Sequence, residues 1–227
     1  MTASLRADGG GARQRGKSAD GGARLPLSQD DGGGRFPGQR SEAERRHWDA
    51  ATAAVVDARL GRPPDVSFFS STEEGIATAL LDRLVGQEGE PRVPIVNMVD
   101  ARLAGQETDG WRYADLPEDG EVWKRTLAYL NEDARDRHGV GFAEIGPQLQ
   151  DEILASIQSE EGAWHGLPAG HVWNLWLRYA CTAFYAHPWA WDEIGFPGPA
   201  YPRGYANLGL DRREHFEARD ARPGEKA

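Results

Sequence analysis

The chain has 227 residues, a formal net charge of −10 and a sequence pI near 5.1. Residues 1–47 carry nine basic and six acidic side chains, which leaves a net charge of −13 on the rest and argues against binding nucleic acid through its phosphates. The single cysteine, Cys181, excludes a disulfide framework, a cysteine-ligated iron–sulfur cluster and a four-cysteine zinc site.

The N-terminal end differs in composition from the rest of the chain. Residues 1–40 hold ten of the 28 glycines and no valine or isoleucine, so we predict a disordered, glycine-rich tail there. This start has neither the apolar core of a signal peptide nor a twin-arginine motif, and no run of 18 apolar residues occurs anywhere. We therefore expect a cytoplasmic protein with no direct membrane insertion.

Helical patterns follow the tail. Small apolar residues share one face between Ser41 and Leu60, and the turn sequence 61–64 ends that helix, so residues 41–65 are predicted as an N-terminal helix and linker. Residues 66–209 are predicted as a helical domain and residues 210–227 as a charged C-terminal tail. Within the domain, apolar residues at helical spacing predict helices at 70–86, 94–103, 121–138, 147–160 and 169–186.

The pattern of the domain favours one fold class. Runs of alternating β-branched residues are missing, so we predict an all-α fold, a small irregular helical bundle. The helix at 169–186 is apolar nearly all round, with a polar edge of Asn174, Arg178 and Thr182, which is typical of a central helix. The polar loop 105–120 carries Trp111 and Tyr113, which indicates that it is held against the domain.

After Tyr185 the helical pattern stops. Residues 187–205 contain four prolines, three glycines and five aromatic residues, so we predict a non-helical segment that lies against its own domain or against another chain. Aromatic residues dominate protein–protein hot spots. Our candidate partner-binding residues are Tyr185, His187, Trp189, Trp191, Phe196, Tyr201 and Tyr205.

Motifs for chemistry are mostly absent. The nearest approach to a dinucleotide-binding GxGxxG pattern is residues 139–144, where Glu144 replaces the last glycine and no strand precedes it, so we interpret it as a helix stop and loop. His165 and His171 do not have the spacing of a helical metal site. We predict no catalytic, cofactor-binding or metal-binding residue, although a spatial pair of carboxylates such as Asp192 and Glu193 leaves an enzyme as an alternative.

A family resemblance rests on residues spread along the helical domain. The sequence resembles the gluconate 2-dehydrogenase subunit 3 family in Phe68-Phe69, in 73–84, in Gly141-Phe142 and, most strongly, in Thr182 to Tyr185 and Trp191 to Phe196, which precede Pro199, Pro202, Gly204 and Tyr205. The resemblance covers roughly residues 66–209. Exported members of the family carry a twin-arginine signal, which this sequence lacks.

The resemblance implies a non-catalytic small subunit. Such a subunit binds, matures and stabilises a large FAD-dependent dehydrogenase of the glucose–methanol–choline type, which acts on gluconate or another sugar or polyol. The complex can include a cytochrome subunit. FAD is then expected in the partner, with no cofactor bound by this chain. A free-standing helical interaction domain remains the other alternative.

Overall fold

The computed structural model describes residues 41–90, 92–210 and 212–217. The predicted tail at 1–40 and the end of the predicted charged tail lie outside the described residues. The all-α prediction is confirmed, because helices account for nearly all regular structure in this part of the chain. The elements are a 3₁₀ helix at Ser41–His47, α1 at Ala50–Leu60, α2 at Ser71–Val85, α3 at Ile95–Ala104, α4 at Asp119–His138, α5 at Pro147–Gln158, β1 at Ala163–Trp164, β2 at Leu167–Pro168, α6 at Ala169–Ala186 and α7 at Pro188–Ile194.

Local signals fix most helix ends. Ser70 caps α2 in a capping box with Glu73, in which each side chain accepts a hydrogen bond from the other residue's backbone N–H. Gly86 and Gly139 end α2 and α4 in the left-handed conformation, with φ of 71° and 80°. Gly139 therefore acts as a helix stop, as the interpretation of residues 139–144 required.

Helix α6 lies at the centre of the bundle, as its sequence predicts. It packs against α2, α3, α4, α5 and α7. Its Trp176 is fully buried and donates an indole hydrogen bond of 3.1 Å to the hydroxyl of Thr126 on α4. Tyr179, one turn further along, packs edge-on against the buried Trp123. Apolar burial of these large rings supplies most of the free energy that holds the helices together.

A small hairpin, which the sequence pattern did not reveal, joins α5 to α6. Strands β1 and β2 pair in antiparallel fashion around a two-residue turn, His165 and Gly166, with φ of 49° and 78°. Two positive φ values are those of the tight turn that suits the twist of a hairpin. Two residues per strand are too few to leave an alternating pattern.

The first predicted helix is divided in two. Ser41–His47 forms a 3₁₀ helix, and α1 begins at Ala50 because the Asp49 carboxylate accepts a 2.8 Å hydrogen bond from the backbone N–H of Thr52. Trp48, at the junction, forms a second buried cluster with Val56 of α1 and Trp191 of α7. The N-terminal helices therefore dock on the C-terminal end of the bundle.

The expectation that residues 187–205 contain no helix is wrong for the first part of that segment. Pro188–Ile194 forms α7, with the proline at its first position, where the missing N–H costs no hydrogen bond. The His187 side chain caps the helix by accepting a 3.2 Å hydrogen bond from the Trp189 N–H. Beyond Gly195 the chain has no helix or strand through residue 210.

Candidate partner-binding surface

The structure divides the seven predicted partner-binding residues into two groups. Tyr185, Phe196, Tyr201 and Tyr205 are exposed, and Tyr201 keeps 66% of its surface accessible. Trp189 is half-buried against the main core. His187 and Trp191 are buried.

The two buried residues have structural partners within the chain. The indole N–H of Trp191 donates a 2.6 Å hydrogen bond to the Tyr185 carbonyl, and its ring packs on Trp48. Burial lowers the pKa of His187 to about 4, so its ring is neutral at physiological pH and can accept the helix-capping hydrogen bond. These two side chains are therefore part of the interior beneath the candidate surface and stabilise the local fold.

The C-terminal loop, described at residues 195–210 and 212–217, contacts the N-terminal 3₁₀ helix and Trp48. The indole N–H of Trp48 donates a 3.0 Å hydrogen bond to the Pro199 carbonyl. Arg203 donates a 2.5 Å hydrogen bond to the Glu44 carboxylate, and its guanidinium lies 3.4 Å from the centre of the Phe216 ring. These long-range contacts give the loop a defined conformation without regular secondary structure.

The loop is also held by a carboxylate at its own end. Glu214 accepts backbone hydrogen bonds from Ala206 and Asn207, as well as a 3.0 Å hydrogen bond from the Asn207 side-chain amide. The backbone N–H of Asn207 is the largest cause that lowers the pKa of Glu214. Tyr205 packs beside Phe216, with 5.9 Å between the ring centres. Residues 204–210 of this loop are exposed.

Exposed large hydrophobic side chains concentrate at this end of the molecule. Seven of the ten among the described residues lie between 185 and 210. Four of them lie inside the C-terminal loop, in the ten-residue stretch 201–210. We call these four residues the apolar ridge: Tyr201, Tyr205, Leu208 and Leu210. Large apolar side chains that are exposed close together in the chain point to a candidate interaction site.

The sequence reasoning missed Ile194, Leu208 and Leu210. Leu208 and Leu210 keep 74% and 92% of their surface exposed. The available signal was the sequence Asn207-Leu208-Gly209-Leu210, in which two leucines stand in a turn-forming context that offers no helical face to bury them. A search for aromatic residues alone passes over them.

The carboxylates proposed as an alternative acid–base pair are engaged in the architecture. Asp192 accepts a 2.6 Å hydrogen bond from the backbone N–H of Ser41, and Glu193 is 8% exposed on the inner face of α7. In the ranges 41–90, 92–210 and 212–217, no three His, Cys, Asp or Glu residues come together as a metal site would require.

The two histidines considered as metal ligands lie beside carboxylates, and His165 has a second one, Glu132, at 4.0 Å. His165 lies 2.8 Å from Asp133 and stacks on Tyr129, and His171 lies 2.8 Å from Asp115 and stacks on Tyr113. Each imidazole thus fastens a loop to the bundle.

Among the cavities of the described residues, one of about 580 Å³ lies beside Asp82 and Arg92, and another of about 650 Å³ lies between Phe68, Lys124 and Tyr179. No residue of the C-terminal loop lines either of them. The described helices include none long and apolar enough to cross a membrane.

These features define a small all-α protein with an exposed apolar surface at residues 185–210, whose loop is held by contacts from the 3₁₀ helix, Trp48 and Glu214. The family described as Gluconate 2-dehydrogenase subunit 3 matches residues 71–198, more than half of the 227 residues, and the chain belongs to this family. The resemblance seen in the sequence is thereby confirmed. A comparison with curated proteins and another with solved structures each gave no significant match.

Proposed function

We propose that this chain is the small, non-catalytic subunit of an FAD-dependent dehydrogenase complex. In this proposal it binds a large subunit of the glucose–methanol–choline type in the cytoplasm, where it supports the maturation and stability of that subunit. The large subunit holds FAD and oxidises gluconate or another sugar or polyol, and a cytochrome subunit can join the complex. This chain binds no cofactor itself.

The observation that carries the proposal is the apolar surface at residues 185–210 in a member of a subunit family. Tyr201, Tyr205, Leu208 and Leu210 are mostly solvent-exposed in the isolated chain, which costs free energy that a partner can recover. Tyrosine suits such a contact because it buries a large area with few rotatable bonds and keeps a polar tip for hydrogen bonding.

Tyr185, Ile194 and Phe196 extend this surface toward the helices. Ile194 ends α7, and Phe196 packs edge-on against Trp191 with 5.5 Å between ring centres. Part of the exposed surface therefore lies at the end of α7, and the rest lies on the C-terminal loop, which contacts from Trp48 and Glu44 hold in place. Side chains already fixed in position lose less entropy when a partner binds.

The test is co-expression of the full chain with a flavoprotein of this type encoded beside it. We expect co-purification and a higher yield of soluble, FAD-loaded enzyme. Replacing Tyr205 and Leu208 together with serine should weaken the complex at least tenfold, since two central apolar contacts each contribute about 1–2 kcal/mol.

The matched control is Val140→Ser, which removes an exposed apolar side chain (44% accessible) from the loop after α4. It should leave the complex intact. A wild-type chain that remains monomeric and changes neither yield nor FAD content of the flavoprotein would refute the proposal and favour a free-standing helical interaction domain.

A further inference from the structure

The segments that flank the family-matched region contact each other. The match covers residues 71–198, whereas the 3₁₀ helix, α1 and the residues after 198 lie outside it. Trp48 reaches Pro199, Glu44 reaches Arg203, and the backbone of Ser41 reaches Asp192 at the edge of α7. Each pair is more than 150 positions apart in sequence, so none of these contacts arises from local chain geometry.

The packing at Gly198 shows how closely the segments fit. A Cβ atom at Gly198 would lie 2.8 Å from the Trp48 ring and 3.6 Å from the Trp191 ring. The φ of Gly198 is +82°, a conformation that side-chain-bearing residues rarely adopt. The loop can therefore leave α7 between two indole rings only with glycine at this position.

The ion pair is enclosed as well. The Glu44 and Arg203 side chains are each 11% exposed, and Phe216 covers the guanidinium. Removing one partner of an enclosed pair leaves the other charge without compensation, which is far more disruptive than losing an exposed pair. Glu44 thus holds Arg203 in place, and Arg203 lies two residues from Tyr201 and two from Tyr205.

We infer that residues 41–60 act as an intramolecular clasp that holds the C-terminal loop in one conformation and so positions the apolar ridge for the large flavoprotein subunit. The second half of this inference rests on the proposed function. A loop without helix or strand would otherwise sample many conformations, and ordering it at the moment of binding would weaken affinity. Glu44 and Trp48 are positioning residues in this arrangement.

The first test is hydrogen exchange of the full-length chain without a partner. In Glu44→Gln and in Trp48→Ala, the hydrogen-bonded backbone amides of Gly204, Ala206 and Asn207 should exchange at least tenfold faster, while amides of α2 to α6 keep their wild-type rates. Glu152→Gln, which alters an exposed carboxylate on α5, is the matched control and should change nothing. Unchanged exchange in both clasp variants would overturn the inference.

The second test measures the Kd of the same variants for the co-expressed flavoprotein. We expect a Kd about tenfold higher or more for the clasp variants and an unchanged Kd for Glu152→Gln. Faster exchange with an unchanged Kd would overturn the positioning role and leave the proposed function standing. If the wild-type chain itself binds no flavoprotein, the proposed function and the positioning role both fail, while the exchange result still decides whether the clasp exists.

Discussion

Asp100 holds the backbone of residues 67–69, immediately before α2, in place. Its carboxylate is fully buried on α3 and accepts three backbone hydrogen bonds, from the N–H groups of Ser67 at 2.7 Å, Phe68 at 2.9 Å and Phe69 at 2.8 Å. Three donors replace the water that the carboxylate loses on burial. One side chain thereby ties the segment before α2 to the middle of α3.

We expect Asp100→Asn to lower the free energy of unfolding by about 2–4 kcal/mol, because an amide loses the charge and turns an N–H₂ group toward backbone donors. Urea unfolding measures this change. The control is Asn97→Ala, one turn earlier on α3, which removes only a 3.0 Å hydrogen bond from the Asn97 side chain to the Pro64 carbonyl. Its cost should stay below about 1 kcal/mol, and equal losses in the two variants would contradict the role assigned to Asp100.

At the scale of the elements, the polar edge of α6 explains why the loop between α3 and α4 is ordered. The Arg178 guanidinium donates a 2.9 Å hydrogen bond to Asp119, lies 3.2 Å from Asp109 and covers the Trp111 ring at 4.6 Å. Asn174 donates a 3.2 Å hydrogen bond to the Tyr113 hydroxyl. The few polar residues of the central helix therefore hold the loop at residues 105–118 in place.

Arg178→Met tests this arrangement, since methionine keeps much of the side-chain stem and removes the charge. Asp119 then keeps only the hydrogen bond from the Tyr179 hydroxyl, while Asp109 keeps its ion pair with Arg102. We therefore expect a loss of about 1–2 kcal/mol in unfolding free energy and faster proteolysis within residues 105–118. The control, Arg125→Met on α4, removes a more exposed arginine that pairs with Glu121 at 3.3 Å, and its unfolding free energy should stay close to that of the wild type. Unchanged cleavage of the loop in Arg178→Met would show that other contacts hold it.

The sequence predicted those elements whose signals are local. Ala169–Ala186 was predicted with its observed bounds, because an apolar face and flanking prolines and glycines mark it without reference to any other part of the chain. Helix α7 is missed because its one proline and two tryptophans suit a loop equally well until His187 caps the helix and Trp48 packs on it. Aromatic density located the candidate surface, but only the fold separates the buried Trp191 from the exposed Tyr201.

Over the whole molecule, α7 joins two hydrophobic clusters. Ala190 belongs to the main core, and the next residue, Trp191, belongs to the cluster with Trp48 and Val56. His187 lies at the start of this joint, next to the end of α1, where Arg59 donates a 3.0 Å hydrogen bond to the Ala186 carbonyl. A change in the charge of His187 therefore acts on the contact between the bundle and the N-terminal helices.

The stability of the protein should fall as the pH drops from 6.5 toward 4. Burial lowers the pKa of His187 from 6.5 to about 4. Between these two pH values His187 is protonated in the unfolded chain and neutral in the folded chain, so lowering the pH favours unfolding. Full protonation would cost about 3 kcal/mol, and the step from pH 7 to pH 5 about 2 kcal/mol.

His187→Asn keeps a cap acceptor for the Trp189 N–H without a titrating ring, so its unfolding free energy should lose about 2 kcal/mol less over that step. Carboxylates titrate in both proteins, and the difference between the two isolates the histidine. The same pH dependence in urea unfolding of wild type and variant would show that His187 is protonated as readily in the folded chain as in the unfolded one.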